Sequence, residues 1–388
     1  MRFIHLADLH IGKRIKEFSL LEDQAYILER IVEITEKEKA DAVIIAGDLY
    51  DKSVPPGEAV PVLDDFLTRL SEMDKTVFII SGNHDSSERL SFGSRLLKKN
   101  NIHIISTFDG SLSKTVMEDE YGSINVFALP FVRPARVQKF FPDKTISSYE
   151  DALVDIINDA KGKGILVPNE RNILICHQFV TGTSSPILSD SESTIVGTLE
   201  NISCEIFEDF DYVALGHLHC PQSVGRETIR YAGSPLKYSF SEVNHKKSVT
   251  VVDIDKNKVS IKESPLTPGR DMRKIKGKLK NLISPEVCEE ICSDFIHATL
   301  TDENDLYEPL ATLRAYYPYI LHMEHIKESE FSNENNETSV YDRISKNPIK
   351  LFKEFYEETK QKEFHEHKQK LLEKVLKEEL EEFCHDTH

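Results

Sequence analysis

The amino-acid sequence predicts an α/β fold built from layers of sheet and helix. Over the first hundred residues, apolar runs of strand length alternate with stretches whose apolar residues recur at helical spacing. Short polar motifs directly follow several of these apolar runs. Because open α/β sheets bind their ligands at the carboxyl ends of strands, the same pattern also predicts where a functional site lies.

Residues 1–264 are predicted to form one large domain. A strand at 3–7, a helix at 20–38, a strand at 42–46 and a helix at 58–73 are expected in that order. Further strands are expected at residues 76–80, 102–105, 124–129, 172–176, 211–215, 229–232 and 247–254.

A second, smaller domain is predicted after residues 265–270, where two prolines and a glycine indicate a domain boundary. We expect residues 271–326 to form an α+β capping domain. Its predicted elements are a helix at 271–282, a helix at 285–292, a strand at 294–300, a helix at 305–315 and a strand at 319–325.

The C-terminal part of the chain is predicted to be a linker followed by helices. Residues 327–347 are rich in Glu, Asn and Ser and poor in apolar residues, which is typical of an exposed linker. Residues 348–384 place Pro348 at a first helical position, and apolar residues then recur on helical faces. These faces would pack on the protein's own core or on a partner, and the sequence leaves both open.

Composition limits the classes of protein to consider. The 388 residues carry a net charge of -18, are 39% apolar and contain no apolar run near the roughly 20 residues that cross a bilayer. No membrane association is expected. The opening residues do not resemble a secretory signal, and six scattered cysteines do not suggest a disulfide framework, so a cytoplasmic protein is expected. Any nucleic-acid surface would be local or supplied by a partner, because nonspecific affinity depends on Lys and Arg.

Polar motifs after the apolar runs supply side chains that can bind metal. Asp8 and His10 are one residue apart, so in extended geometry they point the same way. Asp48 follows a buried run and can bridge two cations with its two oxygens. His217 and His219 repeat the one-residue spacing after another apolar run, an arrangement that is uncommon without a metal.

The motif at residues 82–85 adds an amide and an acid. The side-chain carbonyl of Asn83 can bind a metal, and His84 can donate a proton. Asp85 could hold the His84 imidazole, and that hydrogen bond would raise the pKa of His84. His177 ends a further apolar run and adds another nitrogen donor.

Together the motifs offer oxygen and nitrogen donors and need no thiolate. Such a set suits Mn²⁺, Fe²⁺ or Zn²⁺ better than Ca²⁺. Two such ions about 3.5–4 Å apart would polarise a phosphoryl group and activate water for in-line displacement at phosphorus. The sequence therefore predicts phosphoester hydrolysis. The candidate ligands are Asp8, His10, Asp48, Asn83, His177, His217 and His219.

The order of these motifs resembles the calcineurin-like metallophosphoesterase superfamily. The resemblance implies a four-layer α/β/β/α sandwich with a dinuclear metal centre, here followed by the small α+β capping domain and C-terminal helices. It also implies that His84 protonates the leaving oxygen and that Asp85 orients His84. The implied ligands are Asp8, His10, Asp48 and His219 for one ion, and Asp48, Asn83, His177 and His217 for the other.

Sequence around the motifs narrows the resemblance to the SbcD family, the nuclease subunits of bacterial SbcC/SbcD complexes. It is carried by residues 4–12, 46–51, 128–132, 176–180 and 231–242. The resemblance implies a nuclease that prefers Mn²⁺ and acts as a 3′-to-5′ exonuclease and an endonuclease on DNA ends and hairpins. It further implies binding of the SbcC ATPase subunit by residues 348–384, and a homodimer within a heterotetramer.

Two other functions are considered. A phosphomonoesterase or small-molecule phosphodiesterase could use the same two-metal core, because that core alone does not determine the substrate. The length of chain beyond the core argues against this alternative. A noncatalytic scaffold is disfavoured because none of the implied ligands, nor the implied acid, is replaced.

Overall fold

The computed structural model describes residues 1–192, 201–256 and 258–326, together with Tyr356 and Lys368. Contacts divide the chain into two units, Met1–Ile326 and Lys327–His388. Apart from Tyr356 and Lys368, the predicted linker and C-terminal helices lie outside the described residues. No helix in the described part of the chain is long and apolar enough to cross a membrane.

The secondary structure of the described residues alternates strands and helices over most of its length. The strands are β1 (Arg2–Leu6), β2 (Arg14–Ile15), β3 (Phe18–Ser19), β4 (Ala42–Ala46), β5 (Thr76–Ile80), β6 (Ile102–Ile105), β7 (Ser113–Asp119), β8 (Gly122–Leu129), β9 (Arg171–His177), β10 (Val180–Thr181), β11 (Ile202–Ser203), β12 (Tyr212–Gly216), β13 (Gln222–Val224), β14 (Arg226–Tyr231), β15 (Ser248–Ile254), β16 (Val259–Pro265), β17 (Met272–Gly277), β18 (Phe295–Leu300) and β19 (Ile320–His325). The α-helices are α1 (Leu21–Lys37), α2 (Ala59–Glu72), α3 (Ser87–Ser91), α4 (Ser94–Leu97), α5 (Pro134–Gln138), α6 (Tyr149–Gly162), α7 (Leu279–Leu282), α8 (Pro285–Ile291) and α9 (Pro309–Tyr316).

Two six-stranded sheets form the centre of the first unit. Their strand orders are β16-β15-β1-β4-β5-β6 and β13-β14-β12-β9-β8-β7. Strands β1, β4, β5 and β6 run parallel in the first sheet. Strands β8, β9, β12 and β14 run parallel in the second sheet. Within each parallel set the carboxyl ends therefore lie at one edge, which is where the polar motifs leave the sheets.

The two sheets pack face to face, and helices cover their outer faces. The layer between the sheets contains Phe3, Ile44 and Phe78 from the first sheet and Val126 and Tyr212 from the second. Helices α1 and α2 pack on the outer face of the first sheet, and α5 and α6 on that of the second. The predicted four-layer α/β/β/α sandwich is confirmed.

Burial explains why the central strands could be predicted from sequence. Strand β4 is buried at every position, as expected for a parallel strand covered on both faces, and therefore appears as a continuous apolar run. The predicted strands at 42–46, 76–80 and 102–105 agree with β4, β5 and β6 in both bounds. The prediction missed the edge strand β7 and helix α6, although α6 begins with a capping box between Ser148 and Asp151.

The helix predicted at residues 271–282 is wrong. Residues Met272–Gly277 form β17, and Leu279–Leu282 form one helical turn. Strand β17 pairs in parallel with β18, from Met272 opposite Phe295 to Gly277 opposite Leu300. Hydrogen bonds to this distant strand override the local helical pattern, and Gly277 weakens a helix further. The remaining predicted elements of this segment correspond to α8, β18, α9 and β19.

Residues 271–326, here called the cap segment, contain a sheet of order β17-β18-β19. Helices α7, α8 and α9 pack on one face of this sheet through an apolar cluster. Directly before the segment, Arg270 forms two hydrogen bonds to the Asp23 carboxylate of α1, at 2.8 and 2.6 Å. The guanidinium also lies 4.7 Å from the ring centroid of Tyr319, next to β19. These contacts hold the cap segment against the first sheet and α1.

Candidate metal centre

The predicted ligands lie together at the carboxyl ends of strands from both sheets. Strands β1, β4 and β5 of the first sheet lead into some of the ligands, and β9 and β12 of the second sheet lead into the others. All of them except Asn83 are buried, with at most 8% of each residue exposed. We call this set the histidine–aspartate site; it consists of Asp8, His10, Asp48, Asn83, His177, His217 and His219.

Asp8 and His10 do not lie in an extended strand, contrary to the prediction. Strand β1 ends before them, and their φ angles are 54° and 44°. They converge because the loop binds its neighbour: Asp8 N–H donates to the carbonyl of Gly47 at 3.1 Å, and His10 N–H to that of Asp48 at 2.9 Å. Asp48 and His217 also have positive φ, 52° and 101°. Such strain persists only where the surrounding structure imposes it, and it is concentrated at functional sites.

Glycines in the motifs allow the two sheets to approach each other at this site. A Cβ atom on Gly82 would overlap the carboxylate of Asp48. A Cβ atom on Gly216 would overlap the carbonyl oxygen of Ala46 and would lie 2.6 Å from Nδ1 of His177. Any side chain at either position would displace a backbone segment or a candidate ligand. The close approach of neighbouring loops therefore explains why glycine occupies positions 82 and 216.

One group of donors surrounds Asn83 and reaches Asp48. Nδ1 of His177 donates to the carbonyl oxygen of Ala46 at 2.7 Å, so Nε2 is the nitrogen that offers a lone pair to a metal when the ring is neutral. This Nε2 atom lies 3.0 Å from Oδ1 of Asn83 and 3.4 Å from Oδ2 of Asp48. Nδ1 of His217 lies 3.1 Å from the same Asn83 oxygen. Two imidazoles, an amide oxygen and a carboxylate thus point at one small volume.

The second group consists of Asp8, His10 and His219 and also reaches Asp48. The Nε2 atoms of His10 and His219 face each other at 3.1 Å, and Nε2 of His10 lies 3.7 Å from Oδ2 of Asp48. Both oxygens of Asp8 accept the backbone N–H of His217, at 2.9 and 3.1 Å. Nδ1 of His10 is buried and has no hydrogen-bond partner among the described residues. Facing nitrogen lone pairs beside carboxylates fit a cation.

The combined geometry fits two divalent ions that share Asp48. Ligand atoms lie within 4.8 Å of one another in the sets Asp8–His10–His219, Asp8–Asp48–His177 and His10–Asp48–His84. Asp48 belongs to two of these sets and contacts the His177 group as well as the His10 group. Nitrogen and oxygen donors without thiolate suit divalent transition ions.

Burial and neighbouring charge set the protonation of the site in the metal-free protein. Burial raises the pKa of the Asp8 carboxyl to about 7. Burial, followed by repulsion from His177, lowers the pKa of His217 to about 3, so its ring is neutral and able to bind a metal. Burial also disfavours the charged form of His177, but the Asp48 and Asp8 carboxylates and the hydrogen bond to Ala46 together outweigh it and raise the pKa of His177 to about 9.

A buried carboxylate that the sequence did not reveal holds His219. Nδ1 of His219 lies 3.2 Å from Oε1 of Glu242 and 2.9 Å from Oγ of Ser191. Glu242 is fully buried, and Nζ of Lys247 donates to its other oxygen at 2.5 Å and to the carbonyl of His219 at 2.8 Å. A carboxylate on the far nitrogen of a metal-binding histidine fixes the ring and raises its basicity. The one sequence signal that pointed to Glu242 is that it ends residues 231–242, a stretch that carries part of the family resemblance.

His84 borders the site, but a backbone carbonyl orients it. Its Nδ1 donates to the carbonyl oxygen of Asp51 at 2.9 Å. Its ring lies edge-on to that of His10, with centroids 4.8 Å apart. This arrangement leaves Nε2 of His84 as the ring nitrogen that can act on a bound substrate.

The predicted hydrogen bond between Asp85 and His84 is wrong. The Asp85 carboxylate accepts three backbone N–H groups, from Gly82 at 3.0 Å and from Leu49 and Tyr50 at 3.1 Å each. Burial raises the pKa of Asp85 to about 6. Asp85 therefore joins the loops after β4 and β5 and does not orient the imidazole.

Comparisons with known proteins give two matching family models. A model described as calcineurin-like phosphoesterase matches residues 1–221, and a model described as type 5 capsule protein repressor C-terminal domain matches residues 268–360. The first match includes all seven members of the histidine–aspartate site and also His84. The second match includes the whole cap segment.

Two named relatives are similar over most of their length. The SbcD subunit of the nuclease SbcCD from Staphylococcus epidermidis is 35% identical over 354 residues, covering 88% of this chain and 91% of that protein. A protein of the same name from Staphylococcus saprophyticus is 35% identical over 323 residues, covering 83% and 84%. A solved dimetal phosphatase from Danio rerio, 12% identical, covers 69% of this chain and 98% of that one with a TM-score of 0.38, too low to inform on function.

Proposed function

The chain belongs to the calcineurin-like phosphoesterase family and, within it, to the SbcD nuclease subunits, and on this premise we propose that it is a metal-dependent DNA nuclease. It hydrolyses phosphodiester bonds at DNA ends and hairpins, as a 3′-to-5′ exonuclease and as an endonuclease. Its role is the processing of DNA ends in repair, recombination and replication.

The convergence of the six other members of the histidine–aspartate site around Asp48 is the observation that carries this proposal. Asp8, His10, Asp48 and His219 would hold one ion, and Asp48, Asn83, His177 and His217 would hold the other. When bound, two such ions polarise the phosphoryl oxygens and activate water for attack at phosphorus. Mn²⁺ is the proposed metal: the nitrogen and oxygen donors suit it as one of several divalent ions, and the resemblance to SbcD nucleases selects it among them.

His84 is proposed to donate the proton to the leaving oxygen. As an imidazolium, its Nδ1–H stays on the carbonyl of Asp51 while Nε2–H is free to transfer. The proposed contribution of Asp85 is to hold the loops that carry Asp48 and His84 in register, through its three backbone hydrogen bonds. His84 therefore acts on the substrate, and Asp85 acts through the backbone.

The proposed division of labour gives the chemistry to residues 1–264 and DNA contact to the cap segment. Strand β17 of the cap segment carries the exposed side chains Lys274 and Lys276 on one face, which support a local basic contact in a chain of net charge -18. Residues 327–347 are proposed as a linker and 348–384 as the segment that binds the SbcC ATPase subunit. The active assembly is proposed to be a cytoplasmic heterotetramer around a homodimer of this chain.

The proposal is tested by offering the purified full-length chain two substrates with Mn²⁺ present. The substrates are 3′-labelled hairpin DNA and para-nitrophenyl phosphate, and the His84→Ala variant is the control for contaminating nucleases. Cleavage of DNA that is lost in His84→Ala is the expected result. Turnover of the monoester alone would replace the proposal with a phosphomonoesterase.

A further inference from the structure

Outside the histidine–aspartate site, a second cluster of metal-binding side chains lies on the sheet of the cap segment. On one face of this sheet, Ile296, Ala298 and Leu300 of β18 pack against helices α7 to α9. Side chains alternate along a strand, so His297 and its neighbours at even spacing occupy the opposite, helix-free face. His322 is directly opposite His297 on the adjacent strand β19.

Three side chains converge on this helix-free face. The rings of His297 and His322 have centroids 4.5 Å apart at an interplanar angle of 84°. Glu324, two residues beyond His322 and therefore on the same side, brings Oε1 to 3.5 Å from Nε2 of His297. One ligand atom from each residue lies within 4.8 Å of the other two. We call His297, His322 and Glu324 the cap cluster.

These separations are close to those around a transition-metal ion. Donors bonded at about 2.0–2.1 Å to a tetrahedral ion lie about 3.3–3.4 Å from one another. The distance of 3.5 Å between Nε2 of His297 and Oε1 of Glu324 is slightly longer than this value. His322 is the most exposed of the three and can close the remaining gap by rotation of its side chain.

The hydrogen bonding of the cluster favours an ion over a simple pair. Nε2 of His297 is buried and has no hydrogen-bond partner among the described residues, although it lies near Glu324. The Glu324 carboxylate is instead oriented by Thr299, whose Oγ1 donates to Oε1 at 2.6 Å. Hydrogen bonds of this kind typically orient metal-binding carboxylates. Phe240 packs edge-on against His297, with ring centroids 5.3 Å apart, and limits its movement.

We propose that His297, His322 and Glu324 bind a divalent transition-metal ion, separate from the histidine–aspartate site. Two imidazoles and one carboxylate are the donors of many Zn²⁺ sites with open coordination positions, whereas Ca²⁺ and Mg²⁺ prefer oxygen ligands only. The side chains of His297 and Glu324 are 17% and 42% exposed, so water can fill the open positions. The ion links β18 to β19 across the bulge in their register between Ile296 and His297.

The positive charge of Lys274 opposes this ion and sets an upper limit on its affinity. Lys274 is opposite His297 on β17 and belongs to the same face of the sheet. The carboxylate of Glu324 offsets part of this repulsion. The cap cluster has one carboxylate and a lysine facing it, whereas the histidine–aspartate site has two carboxylates, so we expect the cap cluster to be the weaker site.

The proposal is tested by counting ions on the full-length chain. Metal-free protein is dialysed against buffered Zn²⁺, and zinc per chain is measured by mass spectrometry for wild type, His322→Ala and Glu324→Gln. Wild type is expected to bind one zinc ion more than either variant. In each variant, the affinity of the cap cluster for that ion is expected to fall at least tenfold. His322 is exposed and Glu324 is partly so, so neither substitution removes core packing, and circular dichroism verifies the fold.

His325→Gln is the matched control. This histidine is on the same strand, but its Nε2 bonds to the carbonyl oxygen of Asp302 and lies outside the cap cluster. The control is expected to retain every ion of the wild type. Equal zinc content in wild type and His322→Ala would overturn the proposal, and so would an equal loss in His325→Gln. The difference between variants is read independently of nuclease activity, so failure of the proposed function leaves the result interpretable.

Discussion

The histidine–aspartate site and the cap cluster use the same kinds of side chain but are built differently. The first is buried between two sheets, and its ligands follow five different strands. The second lies half-exposed on one sheet, and its ligands come from two adjacent strands. Burial and support from several directions hold donors in one arrangement before an ion binds, and catalysis requires that precision. The cap cluster has donors without this enclosure.

The supporting residues show the same difference. His219 is held by Glu242, which is itself fully buried and paired with Lys247. In the cap cluster, the corresponding support is one hydroxyl, that of Thr299 on Glu324. A buried carboxylate cannot relax into water, so it orients its histidine more strictly than an exposed contact does. The predictions below test this contrast, beginning with the largest expected effect.

Replacing Asp48 by Ala is expected to have the largest effect. Because Asp48 contacts both groups of donors, Asp48→Ala should lose metal from the histidine–aspartate site and nuclease activity with it. Metal analysis and a hairpin-cleavage assay measure the two losses. The same variant should retain the zinc ion of the cap cluster. A variant that stays fully loaded with Mn²⁺ would show that Asp48 does not bridge.

His84→Ala is expected to abolish cleavage while metal content stays unchanged. The side chain is beside the ligands and is assigned to proton donation, which contributes about 10²–10⁴-fold to rate. Rates with DNA and Mn²⁺ per chain are measured on the same preparation. If His84→Ala loses as much metal as Asp48→Ala does, then His84 is a metal ligand and its assignment as the proton donor alone is contradicted.

Glu242→Gln is expected to weaken Mn²⁺ binding about 10–100-fold, the usual cost of losing a carboxylate behind a metal-binding histidine. Titration calorimetry measures the affinity. The substitution also leaves Lys247 buried without its charge partner, which destabilises the fold. Glu242→Gln combined with Lys247→Met is the control, because it removes that unpaired charge. Full affinity in the double variant would show that Glu242 acts on stability alone.

The affinity of the histidine–aspartate site for Mn²⁺ is expected to fall as pH decreases, first as His177 binds a proton below about pH 9 and more steeply as Asp8 does so below about pH 7. Burial raises the pKa of Asp8 from 3.8 to about 7, so below this pH a proton occupies the carboxylate and competes with the ion. The affinity for Mn²⁺ is expected to fall at least about tenfold for each unit by which pH decreases below 7. Water proton relaxation at pH 8, 7 and 6 measures it, and a constant affinity would contradict the assignment.

The raised pKa of Asp8 also affects the stability of the metal-free protein, with the opposite dependence on pH. Folded Asp8 binds its proton more tightly than unfolded Asp8 does, so this group favours folding at low pH. That contribution is complete below about pH 4 and is lost as pH rises through about 7. Denaturant unfolding of wild type and Asp8→Asn measures it: the variant should lack this part of the pH dependence.

Much of the core could be predicted because its parallel strands are buried on both faces and appear as apolar runs. Strands β4, β5 and β6 agree with the prediction in both bounds. Strand β17 was mistaken for a helix because its partner β18 supplies the hydrogen bonds from a distant part of the sequence. Local periodicity contains no information on that partner, and the tertiary pairing overrides it.

The sequence by itself determined the inventory of donors and the reaction type, since residue identity and motif order are properties of the chain. Only the tertiary structure decided how the donors are held. It showed left-handed φ at Asp8 and His10 in place of a strand, and a carbonyl in place of Asp85 behind His84. It also brought Glu242 onto His219. Each of these features depends on contacts between loops that follow different strands, so local sequence contains no information on their geometry.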